Sequence, residues 1–385
     1  MRPNLARITR PLGAMARALG ILIVLLVVVP AIAVGLNCVG SGEAASPVPF
    51  DENAVPPPTA GLEGYARAED QTYLTYPEWY IVYSTDEYGA FIARNKPSGF
   101  PYFRAVGQYW NIYFQTCAVT RDTYPFNVGY HFSNLITGVS FSVENIVKGL
   151  YENTVGRLSE ALSSGDVPNT AEDAYARKVA VEFGAFIHTI PWYEFPFGEK
   201  LSGLWAQTDG SPSSLSSETD LVRKWERRLS LSFEYGVKAI YGWVIRGGTQ
   251  AAYEPERLEI QAWASGVSTA LLASEPDVRV VKPISGDTAI VSIPRYEAFT
   301  QLVPKLLKKN LRFVEIAGND EILITVFAPK NWLYTLRQGR YLFAETVLTE
   351  PELKRVAVSV PVKELHLVLA GLEAEGLRLE HIYDY

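Results

Sequence analysis

The chain has 385 residues, a formal net charge of −7 and a hydrophobic fraction of 48%. This apolar content excludes a disordered or low-complexity chain, and the length predicts two domains. The acidic balance argues against nucleic-acid binding, because contacts with phosphates need a basic surface. Two cysteines allow at most one disulfide, which excludes a disulfide-rich scaffold.

The N-terminal region contains an unbroken apolar run of 19 residues, 18–36. A helix of this length spans about 28 Å, close to the hydrocarbon core of one bilayer. Four arginines precede the run, and no acidic residue occurs before Glu43. The positive-inside rule therefore predicts a cytoplasmic basic N-terminus at 1–17, a transmembrane signal anchor at 18–36 and a translocated body.

A cleaved signal peptide is the alternative for this segment, with the small residues Ala31 and Ala33 flanking the cleavage motif. The apolar run continues to Leu36, which favours a retained anchor. The chain has no second uncharged apolar run of 18 residues and no Asn-x-Ser/Thr glycosylation site. We therefore expect a single-pass protein of the bacterial inner membrane with its body in the periplasm.

Three regions follow the anchor. Residues 37–61 are Pro-rich and include three consecutive prolines, which predicts a stiff stalk. Residues 62–256 have helical periodicity and contain 35 of the 47 aromatic residues, so they are predicted to form an aromatic-rich helical domain. Residues 257–385 contain short β-branched runs, which predict an α+β domain with strands at 288–293, 312–316, 321–327, 355–360 and 377–382.

The longest predicted helix covers residues 219–246 and carries an apolar stripe on one face. Glu234 and Lys238 lie within it and argue against a membrane span. The same helix contains the only dense basic cluster, formed by Arg223, Lys224, Arg227 and Arg228. We expect this cluster to be a solvated helix face, with an anionic headgroup or a partner protein as the alternative. Near residue 75, the spacing of Thr75 and Glu78 predicts a helix-capping box.

An internal repeat is visible in the C-terminal region. Ser-Ile-Pro at 292–294 and Ser-Val-Pro at 359–361 each precede a predicted helix, and Asn310 and Gly376 occupy matching helix-stop positions. Two βαβ units in tandem predict a ferredoxin-like βαββαβ sandwich, in which two helices cover one face of an antiparallel sheet. A strand at residues 339–347 is less certain, because this segment could be an insertion.

Local sequence motifs for catalysis or metal binding are absent: there is no H-E-x-x-H, C-x-x-C, P-loop or G-x-G-x-x-G. We therefore expect neither a metal nor a cofactor. His366 and His381 fall in the C-terminal domain and are expected to be structural. His131 and His188 fall in the helical domain and are the candidate catalytic imidazoles. A buried structural histidine and a cation at a helix terminus are the respective alternatives.

Two segments, 77–80 and 191–194, each combine a proline, a Trp-Tyr pair and a carboxylate. Their carboxylates, Glu78 and Glu194, are candidate general acids or bases if they are desolvated. Aromatic side chains in these segments and in the stretch 100–114 could line a pocket for an apolar ligand, or could simply form a core. The candidate ligand-binding residues are Trp79, Tyr80, Tyr109, Trp110, Trp192 and Tyr193.

These features favour a membrane-anchored periplasmic protein that binds a protein partner or an apolar, lipid-like ligand. An enzyme with a His/Glu acid–base site in the helical domain is one alternative, and a structural component of an envelope assembly is another. An imidazole within hydrogen-bond reach of a carboxylate, in a pocket beside Trp79 or Trp192, would favour the enzyme.

Overall fold

A computed structural model describes residues 27–40, 57–62, 65–66, 69–163, 170–209, 218–249 and 258–384. The described helices dominate the chain up to residue 249, and two antiparallel sheets with short helices follow. The fold is therefore of the α+β class, as predicted. Residues 1–26, which include residues 18–26 of the predicted anchor, lie outside the described part. None of the described helices is both long and apolar enough to cross a membrane.

The first part of the chain is helical. Helix α1 is described over residues 27–38, and the helices that follow are α2 (Glu69–Leu74), α3 (Tyr76–Ile92), α4 (Tyr102–Thr120), α5 (Val128–Tyr151), α6 (Arg157–Leu162), α7 (Ala171–Ile187), α8 (Phe197–Asp209) and α9 (Glu218–Thr249). A π-helical segment, Glu152–Gly156, joins α5 to α6, and a 3-10 helix, Trp192–Glu194, lies before α8. Helix α9 confirms the helix predicted at 219–246.

The capping box predicted at Thr75 and Glu78 does not form. Helix α2 ends only one residue before Thr75, and the Thr75 hydroxyl donates to the Thr72 carbonyl at 3.0 Å. The Trp79 N–H already donates to the Thr75 carbonyl. The Thr75 hydroxyl is thus engaged with α2, and the Glu78 carboxylate contacts Ser133 of α5 instead of the helix terminus.

The second part of the chain forms two four-stranded antiparallel sheets. The first contains β1 (Glu259–Ser265), β2 (Arg279–Ser285), β3 (Thr288–Pro294) and β4 (Arg312–Ile316), with helices α10 (Thr269–Ser274) and α11 (Tyr296–Lys308). The second contains β5 (Glu321–Pro329), β6 (Arg340–Thr346), β7 (Leu353–Pro361) and β8 (Arg378–Ile382), with helix α12 (Leu365–Ala374). The strand orders are β2-β3-β1-β4 and β6-β7-β5-β8, so the two sheets share one topology.

The sequence repeat falls at equivalent places, but in different sheets. The first copy is β3-α11-β4 and the second is β7-α12-β8, whereas the prediction combined both in one βαββαβ sheet. The difference arises because β1 and β2 were not predicted. These two strands complete the first sheet around β3 and β4, while β5 and β6 complete the second sheet around β7 and β8. The helix-stop prediction is confirmed, since Asn310 and Gly376 have positive φ values of 66° and 68°.

The two sheets and the helical part pack together. One face of β5 and β7 joins the core that also holds α11, α12 and the first sheet. The other face contacts the helical part through Tyr76 and Tyr80, which cluster with Leu323, Ala357 and Tyr383. Arg355 lies buried in this second contact.

The Arg355 guanidinium bridges the helical part and the second sheet. It pairs with the Glu87 carboxylate of α3 at 2.7 Å and with the Glu380 carboxylate of β8 at 2.6 Å. The side chain is 3% exposed and lies over the Tyr83 ring. Buried charges of this kind require both partners, so the arrangement links the two parts of the fold.

A disulfide joins Cys38 to Cys117, so the end of α1 is bonded to α4. Gly40 then lies against the backbone of Arg121, which shows that α1 and α4 run in the same direction. Val34 of α1 clusters with Tyr113 and Leu135. The first residues of the predicted stalk are therefore packed against the helical part, and residues 41–56 lie outside the described part.

Candidate functional site

His188 lies between two carboxylates where the helical part meets the first sheet. It caps the C-terminus of α7, and its Nε2 hydrogen-bonds the Asp86 carboxylate of α3. Its Nδ1 lies 3.5 Å from the Glu297 carboxylate of α11. The hydrogen bond with Asp86 and the nearby Glu297 carboxylate raise the pKa of His188 to about 9, against the opposing effect of burial. The imidazole is therefore a cation at neutral pH.

Trp79 lies beside this histidine and beside a second one. Its ring centroid is 6.1 Å from His188 and 3.8 Å from His381. His381 is buried, its Nδ1 is 3.1 Å from the Thr300 hydroxyl, and burial holds its pKa well below the usual range. The adjoining Tyr296 has a φ of 61°, a strained conformation for a bulky residue. A charged and a neutral imidazole thus flank one indole ring.

Glu78, Tyr80 and Tyr109 lie where α3, α4 and α5 meet. Glu78 accepts a hydrogen bond from the Ser133 hydroxyl at 3.0 Å, and burial raises its pKa. Tyr80 donates to the Gln108 side chain at 3.0 Å, and Tyr109 donates to the backbone carbonyl of Asn134 at 2.6 Å. Both tyrosines are fully buried, so they form core and not pocket walls.

Trp110 and His131 lie on the other side of α4. The Trp110 indole donates to the Ser142 hydroxyl at 3.0 Å. His131 is 5% exposed, its Nδ1 is 2.9 Å from the Tyr113 hydroxyl, and burial lowers its pKa to about 4. The sulfurs of the disulfide lie within 4.8 Å of its ring nitrogen. In the disulfide these sulfurs are bonded to each other and not available as thiolate ligands.

Trp192, Tyr193 and Glu194 pack on the end of α9. The Glu194 carboxylate lies 3.1 Å from Arg246, whose guanidinium also donates to the Tyr193 carbonyl at 2.8 Å. The Trp192 ring lies 5.1 Å from that of Tyr241. The structure therefore pairs neither candidate histidine with Glu78 or Glu194. The partners of His188 are Asp86 and Glu297, which lie in segments that no sequence pattern connects.

The three arginines of the basic cluster on α9 are buried and not solvated, which corrects the prediction for them, while Lys224 is half-buried. Arg223 pairs with Asp173 at 2.7 Å, and Arg228 pairs with Glu172 at 2.8 Å, both on α7. Arg227 pairs with a carboxylate of the π-helical segment. Each of these guanidinium groups is at least 96% buried and satisfied by carboxylates of neighbouring helices. This pairing makes a charged helix interior tolerable.

The apolar stripe of α9 points outward. Every exposed residue of this helix from 221 to 244 is apolar or aromatic: Leu221, Val222, Trp225, Leu229, Phe233, Val237, Ile240, Tyr241, Trp243 and Val244. The adjacent helix, α5 with its extension through α6, also exposes a row of apolar side chains: Val128, Phe132, Ile136, Val143, Val147, Leu150, Val155, Leu158 and Leu162. We call these two rows together the α5–α9 apolar face.

Ion pairs fix the register of the two helices under this face. Glu144 pairs with Lys238 at 2.8 Å, and Lys148 pairs with Glu234 at 2.7 Å. The pairing residues increase along α5 and decrease along α9, so the helices are antiparallel neighbours. Apart from Glu144, which is 42% exposed, the charged groups that join the helices face inward, whereas the two exposed rows are apolar, the reverse of a water-soluble bundle.

Comparison of the chain with protein-family models, with curated proteins and with solved structures finds no match.

Proposed function

We propose that this is a membrane-anchored protein of the bacterial inner membrane with its body in the periplasm, and that its helical part binds membrane lipid through the α5–α9 apolar face. The single observation that carries the proposal is the reversed polarity of α9. In water, an apolar patch of this extent marks an interaction surface. In lipid, apolar residues face the acyl chains, and ionisable residues face the bundle interior, where they pair.

The dimensions of the face fit an apolar layer. Trp225 and Trp243 are both exposed and 18 residues apart, which corresponds to about 27 Å along a helix. Between them the exposed residues include Leu229, Phe233 and Ile240, and none is charged. Tryptophans favour the border between hydrocarbon and water, so both side chains fit a helix that lies along the membrane surface with its apolar face towards the acyl chains.

The attachment of α1 supports the same placement. Helix α1 contains the second half of the predicted anchor, and the disulfide at Cys38 bonds it to α4. Its Val34 lies in one cluster with Leu135 of α5. An anchor fixed in this way would keep the helical part at the membrane and not at the end of an extended stalk.

The two sheets would serve as the extramembrane scaffold. Each has the strand order of a ferredoxin-like sheet, and we propose that the C-terminal part consists of two ferredoxin-like units instead of one. The second unit has a loop where the first has α10. Fold alone assigns no activity to such units.

Spin labelling of the full chain in lipid nanodiscs tests lipid contact. The nitroxide is placed at Phe233→Cys, in the centre of the face, and at the control Leu367→Cys, an exposed apolar position of α12. We expect the label at 233 to be relaxed by oxygen, which partitions into lipid, and shielded from a water-soluble nickel chelate. The label at 367 should show the opposite preference.

Two outcomes would contradict lipid contact. Access of the nickel chelate to the label at 233, equal to that at 367, would place the face in water. Protection of the label at 233 from both relaxants would instead show that protein covers the face, as expected for a component of an envelope assembly.

An enzyme remains the second candidate, because His188 contacts Asp86 beside Trp79. With a pKa near 9, this imidazole would act as a general acid or an electrostatic stabiliser and not as a base. Activity lost in His188→Gln, in a variant that keeps the wild-type fold, would support this candidate. Full activity in that variant would remove it.

A further inference from the structure

A cavity of about 320 Å³ opens on the α5–α9 apolar face. Its outer walls include Val147 of α5 and Leu229 and Phe233 of α9, which are 52%, 62% and 69% exposed. Its inner walls include Glu152 and Arg227, which are 5% and 3% exposed. The cavity therefore changes from an apolar entrance to a charged interior over the width of one helix.

The inner walls carry balanced charge. Three cationic side chains, Lys148, Arg177 and Arg227, and three carboxylates, Glu152, Asp173 and Glu234, line the cavity. An anionic group would meet as many negative as positive side chains there, and so would a cationic group. This balance is complementary to a zwitterion, whose two charges can each lie near the opposite charge.

One buried polar atom of this lining lacks a partner. Oε1 of Glu152 accepts from Arg227 at 2.9 Å, but Oε2 has no hydrogen-bond partner among the described residues. An unsatisfied buried carboxylate oxygen is costly, and it is satisfied when a ligand supplies a donor. Glu152 lines the cavity, and its unpartnered oxygen lies against Gly156, so a ligand N–H or O–H group that reached this oxygen would satisfy it.

The backbone here is built to hold that carboxylate. Glu152 begins the π-helical segment, a form of helix that is rare and frequently found at functional sites. A Cβ atom at Gly156 would lie only 2.3 Å from Glu152 Oε2. Because such an approach is impossible, only glycine at 156 leaves room for the carboxylate in its present position.

We propose that this cavity binds the headgroup of a zwitterionic phospholipid with a primary ammonium group, as in phosphatidylethanolamine. The ammonium donates to Glu152, and the phosphate lies among the cationic side chains. The cavity is at the small end of the range for ligand sites and cannot hold two acyl chains. The chains would lie outside it along Leu229 and Phe233. This inference rests on the proposed contact of that face with lipid.

Native mass spectrometry of the delipidated full chain in detergent tests the proposal with three added lipids that have the same acyl chains. We expect one phosphatidylethanolamine to remain bound per chain, with an affinity about tenfold or more above that for phosphatidylcholine or phosphatidylglycerol. Phosphatidylcholine has the same net charge but no N–H donor, and phosphatidylglycerol has no ammonium. Equal retention of all three lipids would overturn the proposal.

Matched variants locate the bound headgroup. Glu152→Gln and Gly156→Ala should each remove the preference for phosphatidylethanolamine, the first by neutralising the carboxylate and the second by displacing it. Glu144→Gln is the control, because Glu144 lies on α5 outside the cavity lining and is 42% exposed. A preference unchanged in both cavity variants would refute the site. A preference that disappears equally in the control would also refute it.

The spin-label experiment keeps the two proposals separable. Lipid contact at position 233 together with no headgroup preference rejects the cavity site and leaves the proposed function standing. A preference abolished by Glu152→Gln, while the label at 233 is exposed to water, rejects the lipid-embedded face and retains the headgroup site.

Discussion

The ion pairs of His188 make a pH-dependent contribution to stability. Asp86 belongs to α3 and Glu297 to α11, so the imidazolium links the helical part to the first sheet. Its pKa rises from 6.5 to about 9 on folding. Because the folded value is the higher one, the stabilisation is fully present below pH 6.5 and is lost as the pH rises through 9.

The size of this effect follows from the pKa difference. A difference of one in pKa corresponds to about 1.4 kcal/mol, so the rise in the pKa of His188 corresponds to about 3 kcal/mol of stabilisation. The Asp86 side chain is 41% exposed, and solvent screening of such a pair reduces the expected value to about 1–2 kcal/mol. For a chain of this length, that is about 1–3 °C in melting temperature.

Thermal unfolding of the detergent-purified chain at pH 6 and pH 9.5 measures the effect. We expect His188→Gln to melt below the wild type at pH 6 and to approach it at pH 9.5. His366→Gln is the control, because burial and Arg312 slightly lower the pKa of His366. An equal difference between wild type and His188→Gln at both pH values would refute the reasoning. An NMR titration of His188 that gave a pKa near 6.5 would refute it directly.

Three further predictions concern stability. Arg355→Met should cost about 3–5 kcal/mol in chemical denaturation, because it leaves two buried carboxylates without their cation, whereas a cost below 1 kcal/mol would contradict the buried pairing. Replacing Cys38 and Cys117 by alanine should cost about 2–5 kcal/mol, and a reductant should lower the melting temperature of the wild type but not of this variant. Gly138→Ala should lower the free energy of unfolding by about 1–3 kcal/mol in the same denaturation assay, because its Cβ would lie 2.2 Å from the Tyr109 ring. The control Gly247→Ala has open space around it and should be nearly neutral.

Local sequence signals predicted many of the helices and strands, but they did not predict that the strands form two separate sheets. The β-branched runs at β3, β5 and β7 and the glycine and asparagine stops after α11 and α12 are local signals, and all were predicted. Strand β2 was missed because nearly all of its residues are exposed, so it has no apolar alternation. Strand β1 does alternate, but two of its three buried residues, Ala262 and Ala264, give a weak hydrophobic signal.

The candidate site residues stay predictions, and the sequence could suggest single residues but not the partners that they contact. Trp79 and His188 do lie together, as the hypothesis of a site beside Trp79 required. Their partners could not be selected from the sequence, because Asp86 and Glu297 are separated by more than 200 residues and meet only through tertiary packing. Glu78 was predicted as a cap residue or a general acid or base, and the cap does not form because the Thr75 hydroxyl bonds Thr72 and the Glu78 carboxylate bonds Ser133.

The outward stripe of α9 shows what periodicity determines. Spacing alone predicts that Trp225, Leu229 and Phe233 share a face, and they do. Which face is buried depends on the neighbouring helices and on the surrounding medium, and in this structure the apolar side of α9 is the exposed one. A second signal was present in the sequence: Glu144, Lys148 and Glu152 recur every four residues along α5 and into the π-helical segment, a charged row that can pair with a charged row on α9. Two complementary charged rows predict a contact between helices, and the apolar rows then necessarily face away from it.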